Sequence, residues 1–217
     1  MMRARVNLIT ADPDRMADTI GYVKTSVRPA VESMDGSLGL SLYANAEIGV
    51  AVLESFWVSR EALIHSEQMA APRRTDVVRR AVGTVSVERY RVPVYEREAP
   101  LDTAAALRLT RMDVDTARIE DTVECFGAAV VPRLADAGGF CGALLLVDRD
   151  TGRSISETMW ISQKALAASR GEAAAAQDQA EDQTERQPAE HPGRTAQQPG
   201  QPGVPASVTG PVAAHIL

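Results

Sequence analysis

Glu54-Ser55-Phe56-Trp57-Val58-Ser59-Arg60-Glu61-Ala62-Leu63 returns later in the chain as Glu157-Thr158-Met159-Trp160-Ile161-Ser162-Gln163-Lys164-Ala165-Leu166. The two phrases hold the only two tryptophans in 217 residues. One offset, 103 residues, carries Trp57 onto Trp160 and Pro29 onto Pro132. It holds without gaps from about Ala4 to Ser66, against Leu107 to Ser169. Matched positions include Arg5/Arg108, Asp12/Asp115, Gly36/Gly139, Gly49/Gly152 and Ser66/Ser169. Glycines and prolines punctuate backbone paths, so their recurrence means that the path itself is repeated. One small unit was duplicated.

Each unit reads as a short series of elements. Alternation over Arg3 to Thr10 predicts a strand, with Arg5, Asn7 and Ile9 on one face and Ala4, Val6 and Leu8 on the other. Asp12-Pro13 opens a helix, Asp as N-cap and Pro in the first turn. Met16, Ile20, Val23, Val27 and Val31 form its apolar stripe, and Pro29 bends or ends it. Strands are predicted over Leu38 to Tyr43 and Val50 to Val58, and Ser59 caps a second helix through Met69. Val85 to Tyr95 closes the unit as a fourth strand. The order β-α-β-β-α-β is the ferredoxin-like split βαβ arrangement, an α+β class. It places both helices on one face of the sheet and leaves the other bare. The second copy is the nearest cover, so the two units are expected to pack as a pseudo-dimeric α/β barrel.

The counterpart of the fourth strand falls in Pro188 to Gln198, a stretch that cannot form one. The division is therefore 1–98 for the first unit, 104–176 for a truncated second unit and 177–217 for a tail. Gln, Glu, Asp, Pro and Ala dominate that tail, a composition expected to be disordered. Val208 to Leu217 turns apolar again, but Gly210 and Pro211 interrupt it, so it too is assigned to the tail. The missing strand leaves a sheet edge, and edges recruit cover. A homodimer or the docked tail is expected there.

A net charge of −6 argues against nucleic acid or an anionic membrane as partner. No apolar run reaches the length of a membrane span, and Cys125 and Cys141 form neither a disulfide framework nor a metal site. A reducing cytoplasm is the expected compartment.

The strand–helix phrase around Trp57, the Asp12-Pro13 helix start, Val27-Arg28-Pro29-Ala30 and the strand Gly39-Leu40-Ser41-Leu42 resemble the antibiotic biosynthesis monooxygenase domain of the dimeric α/β-barrel superfamily. The resemblance spans residues 3–97 and most of 105–172. It implies a cofactor-independent monooxygenase acting with dioxygen on a hydrophobic, aromatic or polyketide-type small molecule. Members of that kind place an Asn and a Trp much as Asn7 and Trp57 stand here, and these are the catalytic candidates. Arg5, Ile9, Leu53, His65 and Trp160 are the substrate-binding candidates. The neighbouring order of strands one and three lets Asn7 and Trp57 share the inner face of the barrel, and the pocket is expected either between sheet and helices or inside the barrel of the first copy. Haem-degrading members use a helix His as iron ligand, and His65 stands on the right helix but nearer the Trp than that pattern requires. Haem is the one cofactor the resemblance raises; otherwise none is implied.

A non-catalytic ligand-binding or scaffold protein is the alternative. Trp57 and Trp160 also suit core anchors. Thr110 replaces Asn7 in the second copy, so any Asn chemistry belongs to one half. Glu54 and Glu157 have the opposite strand parity from the tryptophans and are expected in ion pairs at the rim, with Arg5 and Arg108 as matched bases.

Overall fold

The computed structural model describes residues 1–99 and 104–169, with the backbone of Ser207–Pro211. The first unit runs β1 (Arg3–Thr10), a 3-10 turn (Pro13–Arg15), α1 (Met16–Tyr22), a π-helical turn (Val23–Val27) and α2 (Arg28–Glu32). It continues through β2 (Ser37–Asn45), β3 (Val50–Trp57), α3 (Arg60–His65), α4 (Glu67–Ala81) and β4 (Thr84–Arg97). The second runs β5 (Ala106–Asp113), a 3-10 turn (Thr116–Arg118), α5 (Ile119–Cys125), a π-helical turn (Phe126–Val130) and α6 (Val131–Ala135). It ends with β6 (Phe140–Val147), β7 (Arg153–Trp160) and α7 (Gln163–Ala168), and β8 (Ser207–Pro211) lies beyond.

Local chemistry sets these bounds in both copies. Asp12 Oδ1 accepts from the Asp14 N–H at 3.0 Å, as Asp115 Oδ1 does from Ala117 at 2.9 Å. Ser59 and Ser162 cap α3 and α7 in the same way. Pro29 and Pro132 do not stop their helices. A proline lacks the N–H of the regular ladder and its ring crowds the preceding turn, and a π-helical turn before each proline absorbs the conflict. Gly49 and Gly152 have φ of 67° and 78°. A Cβ there would stand 2.1 and 2.0 Å from the Ala11 and Val114 carbonyl oxygens. Only glycine fits both demands.

The strands form one antiparallel sheet in the order β2-β3-β1-β4-β6-β7-β5-β8. Strand β4 serves both halves: Thr84 to Arg91 pair with β1, and Arg91 to Arg97 pair with β6. The even residues of β1 meet the second unit. Ala4, Val6, Val52, Phe56 and Tyr90 pack with Leu107, Leu109, Leu144, Leu146, Ile155 and Met159 in a shared interior. Two further cores lie under the helices of each unit, around Trp57 and around Trp160. The Arg111–Glu88 ion pair, 2.8 Å, ties β5 to β4 between the halves. The tandem barrel expected from the duplicated bare faces is thus the observed architecture.

No strand follows α7 up to Ser169, as the sequence predicts. Strand β8 takes the fourth place instead, pairing Ser207 to Pro211 with Thr110 to Ala106. It holds on β5 the position that β4 holds on β1, and it comes within 8 Å (Cα–Cα) of β2. The segment 207–211 is therefore a strand rather than part of a featureless tail. The vacant edge offers backbone partners that outweigh the weak strand propensity of Gly210 and Pro211. The expected disordered stretch 177–205 lies outside the described residues. A chain ending at residue 206 is expected to melt lower and to exchange its 106–110 amides faster. Unchanged exchange would mean that β8 does not protect this edge. No helix among the described residues is long and apolar enough to cross a membrane.

Candidate functional site

The β1–β3 register sets Asn7 opposite Leu53, Arg5 opposite Ser55 and Arg3 opposite Trp57. These residues do share a face, but it is the helix-covered one, not the barrel interior anticipated from strand order. Parity fixes which residues go together. The helices decide which face they cover, and their apolar stripes dock on Ile9, Leu40, Leu53 and Trp57.

A cavity of about 30 Å³ lies between this face and the helices. Ile9, Val27, Val31, Leu40, Leu53 and Val77 make its apolar wall; Arg5, Asn7, Ser55, Arg73 and Arg74 supply polar atoms. Asn7 donates from Nδ2 to the Leu53 carbonyl at 3.0 Å, which fixes the amide orientation because that oxygen can only accept. Asn7 Oδ1 is buried with no partner among the described residues, and so is Arg5 Nε. One acceptor and one charged donor therefore stand unsatisfied beside an apolar cavity.

Arg5 is 2% exposed. Its Nη2 donates to the Leu63 carbonyl at 2.7 Å and Ser66 Oγ at 2.9 Å, and it pairs with Glu67 at 2.9 Å. Burial lowers its pKa to about 10, and Glu67 opposes that shift. Glu67 also holds Arg74 and Arg89, and its own pKa is lowered: desolvation pushes it up, but the Arg74 hydrogen bond and the three arginine charges together outweigh that. The second unit repeats part of this frame, with Arg108 donating to the Leu166 carbonyl at 2.8 Å. In sequence it has Thr110 for Asn7 and Arg170 for Glu67.

Of the candidates from sequence, Arg5, Asn7, Ile9 and Leu53 line the cavity. Trp57 does not. It is fully buried behind the wall, donates Nε1–H to Ser55 Oγ at 3.1 Å, and stacks under the Arg5 guanidinium at 5.8 Å. Trp160 repeats that placement in the other unit, with Thr158 as acceptor at 3.0 Å, and so lies away from this cavity. His65 is exposed on α3, outside the cavity wall. Its helical phase points it away, because Leu63 and Ser66 take the inward positions. Among the described residues the site offers haem no histidine ligand, since none reaches the wall. Sequence reasoning missed Ala70, Arg73, Arg74 and Val77, which α4 brings over the sheet.

Glu54 and Glu157 are not rim residues. Both are 0% exposed and meet across the barrel interior. Arg5 cannot reach Glu54, since it pairs opposite Ser55 and so faces the other side. No donor among the described residues reaches any of the four carboxyl oxygens. Burial raises both pKa values, and the negative charge of Glu157 raises Glu54 further. Each carboxyl is therefore held toward its protonated form. The signal was present in sequence: an acid retained in both copies within an apolar strand, Val52-Leu53-Glu54-Ser55-Phe56 and Ile155-Ser156-Glu157-Thr158-Met159.

No protein-family model matches the chain. The Mycobacterium tuberculosis proteins Rv2557 and Rv2558, both uncharacterised, are each 30% identical to it. These matches cover 77% of this chain and 75% of Rv2557, and 78% and 72% for Rv2558. An anthrone oxidase-like protein of solved structure superposes with a TM-score of 0.66 at 17% identity, over 99% of this chain and 92% of its own. A ferredoxin-fold protein related to antibiotic biosynthesis monooxygenases, from Listeria monocytogenes, gives 0.52 at 8% identity over 99% and 96%. The chain thus belongs to the family of Rv2557 and Rv2558 and has the tandem fold of antibiotic biosynthesis monooxygenase-like proteins.

Proposed function

We propose that the protein is a cofactor-independent monooxygenase that acts on a hydrophobic aromatic small molecule at the cavity of the first unit. The observation that carries this reading is that Asn7 Oδ1 and Arg5 Nε are both buried and unsatisfied in a largely apolar wall. An aromatic phenol would offer its O–H to Asn7. Arg5 would stabilise negative charge on the substrate oxygen as the ring is activated toward dioxygen. For a substrate of the anthrone type, a ring methylene becomes a carbonyl. One oxygen atom is retained and the other leaves as water with the two hydrogens. The fold shared with an anthrone oxidase-like protein supports this substrate class. Trp57 acts here through Arg5, as a positioning residue. The cavity as it stands admits only a water-sized guest, so substrate binding requires its walls to part.

Oxygen uptake on a hydroxyanthrone tests the reading. Asn7→Ala is expected to lower the rate by about 100-fold while the melting temperature changes little. A second reading, a non-catalytic ligand-binding scaffold, is favoured by the small cavity and sealed Trp57. No oxygen uptake by the unaltered protein would select it.

A further inference from the structure

A cleft of about 500 Å³ opens on the helix-covered side where the two units join. Five arginines line it: Arg3 on β1, Arg60 on α3, Arg89 and Arg91 on β4, and Arg149 in the β6–β7 turn. Asp148 and Asp150 are the acidic residues of the wall. The β4–β6 ladder slips between Arg91 and Val94, where Pro93 has no N–H to donate.

The strand register concentrates the charge. Arg5 stands opposite Arg89, and Arg3 stands opposite Arg91, successive pairs on one face of β1 and β4. Like charges directly opposite one another destabilise a sheet. On the first rung the protein supplies the remedy: Glu67 pairs with Arg5 at 2.9 Å and with Arg89 at 3.2 Å. The second rung has no such carboxylate among the described residues. Neither Arg3, Arg91 nor Arg60 has an ion-pair partner there within 4.0 Å. Arg3 Nε is buried without a hydrogen-bond partner. Desolvation and the nearby charges of Arg91 and Arg60 weaken the hold of Arg3 on its proton; Glu61 and Asp150 offset this only in part. Arg149 is engaged by Glu120, and Asp148 is occupied within its own turn by Thr151 and the Asp150 N–H.

We propose that the cleft binds a small phosphate-bearing anion between Arg3, Arg91 and Arg60, which does for this rung what Glu67 does for the next. Phosphate presents several oxygens to several guanidinium forks and carries more charge than a single carboxylate. Asp148, Asp150 and the net charge of −6 disfavour an extended polyanion. The space admits an organic group beside the phosphate, against Leu63 and Ile64.

Calorimetric titration of the full chain with inorganic pyrophosphate, and with citrate as the polycarboxylate control, tests this. Saturable one-to-one binding of pyrophosphate is expected, with citrate weaker. Arg91→Gln is expected to weaken binding by about 10-fold or more, yet to raise the melting temperature of the anion-free protein by relieving Arg3. Arg60→Gln, at an exposed position, is expected to weaken binding without that gain. The proposal is overturned if pyrophosphate shows no saturable binding below about 10 mM. It is equally overturned if neither substitution weakens binding, or if citrate binds as tightly.

Discussion

Replacing Glu54 with Gln is expected to stabilise the protein at neutral and alkaline pH, with a gain that grows as pH rises. Burial and the facing Glu157 hold the Glu54 pKa well above the ordinary 4.5, and burial raises Glu157 as well. The folded state therefore binds protons that the unfolded state releases. Stability from this source is complete below about 4.5 and is lost as pH climbs through the raised folded values. The unaltered protein should melt progressively lower from weakly acidic to alkaline buffer. Glu54→Gln leaves one carboxylate and gives it an amide donor, and Glu54→Gln with Glu157→Gln removes the titration altogether. Exchanging buried charge for neutral groups of like shape gains up to about 4 kcal/mol. Melting curves across pH are the measurement. A double variant with the same pH slope as the parent would show that this pair does not set it. Tyr43, whose phenol donates to Met159 Sδ at 3.4 Å, is held neutral by its own burial and by both carboxylates, so it does not compete.

Trp160→Ala is expected to cost about 3–5 kcal/mol, as removal of a large buried aromatic side chain does. In a domain of this size that is a fall of roughly 10 °C or more in melting temperature. Trp160 is fully buried, meets Phe140 edge-on at 5.4 Å, and seals the core under α5–α7. Trp57→Ala should cost a similar amount, since Trp57 holds the matching place in the first unit. Urea unfolding of both variants checks this. A cost below about 1 kcal/mol for either would place that tryptophan outside the structural core.

The duplicated phrase made the element order and the tandem barrel legible, because caps, turns and alternation are local chemistry. Asp12 and Ser59 act on neighbours two or three residues along the chain, and their second copies act alike. Four cavity residues, Arg5, Asn7, Ile9 and Leu53, were legible because strand parity groups them. His65 and the tryptophans were placed at the site by resemblance, and the phase of α3 and the depth of the core moved them off it. The α4 residues were invisible because their meeting with Arg5, Asn7 and Ile9 on β1 spans more than sixty residues of chain.

By itself the sequence determined that one βαββαβ unit occurs twice and that each copy carries a bare sheet face. It also determined that the fourth strand of the second copy does not follow its helix. Only the tertiary structure decided which face the helices cover, that Glu54 and Glu157 meet inside the barrel, and that Ser207–Pro211 takes the vacant edge. It also set Arg3 against Arg91. The division has one physical cause. Hydrogen bonds and sterics within a few residues select each element, whereas burial and charge are settled by groups distant in the chain that meet only when the sheet closes.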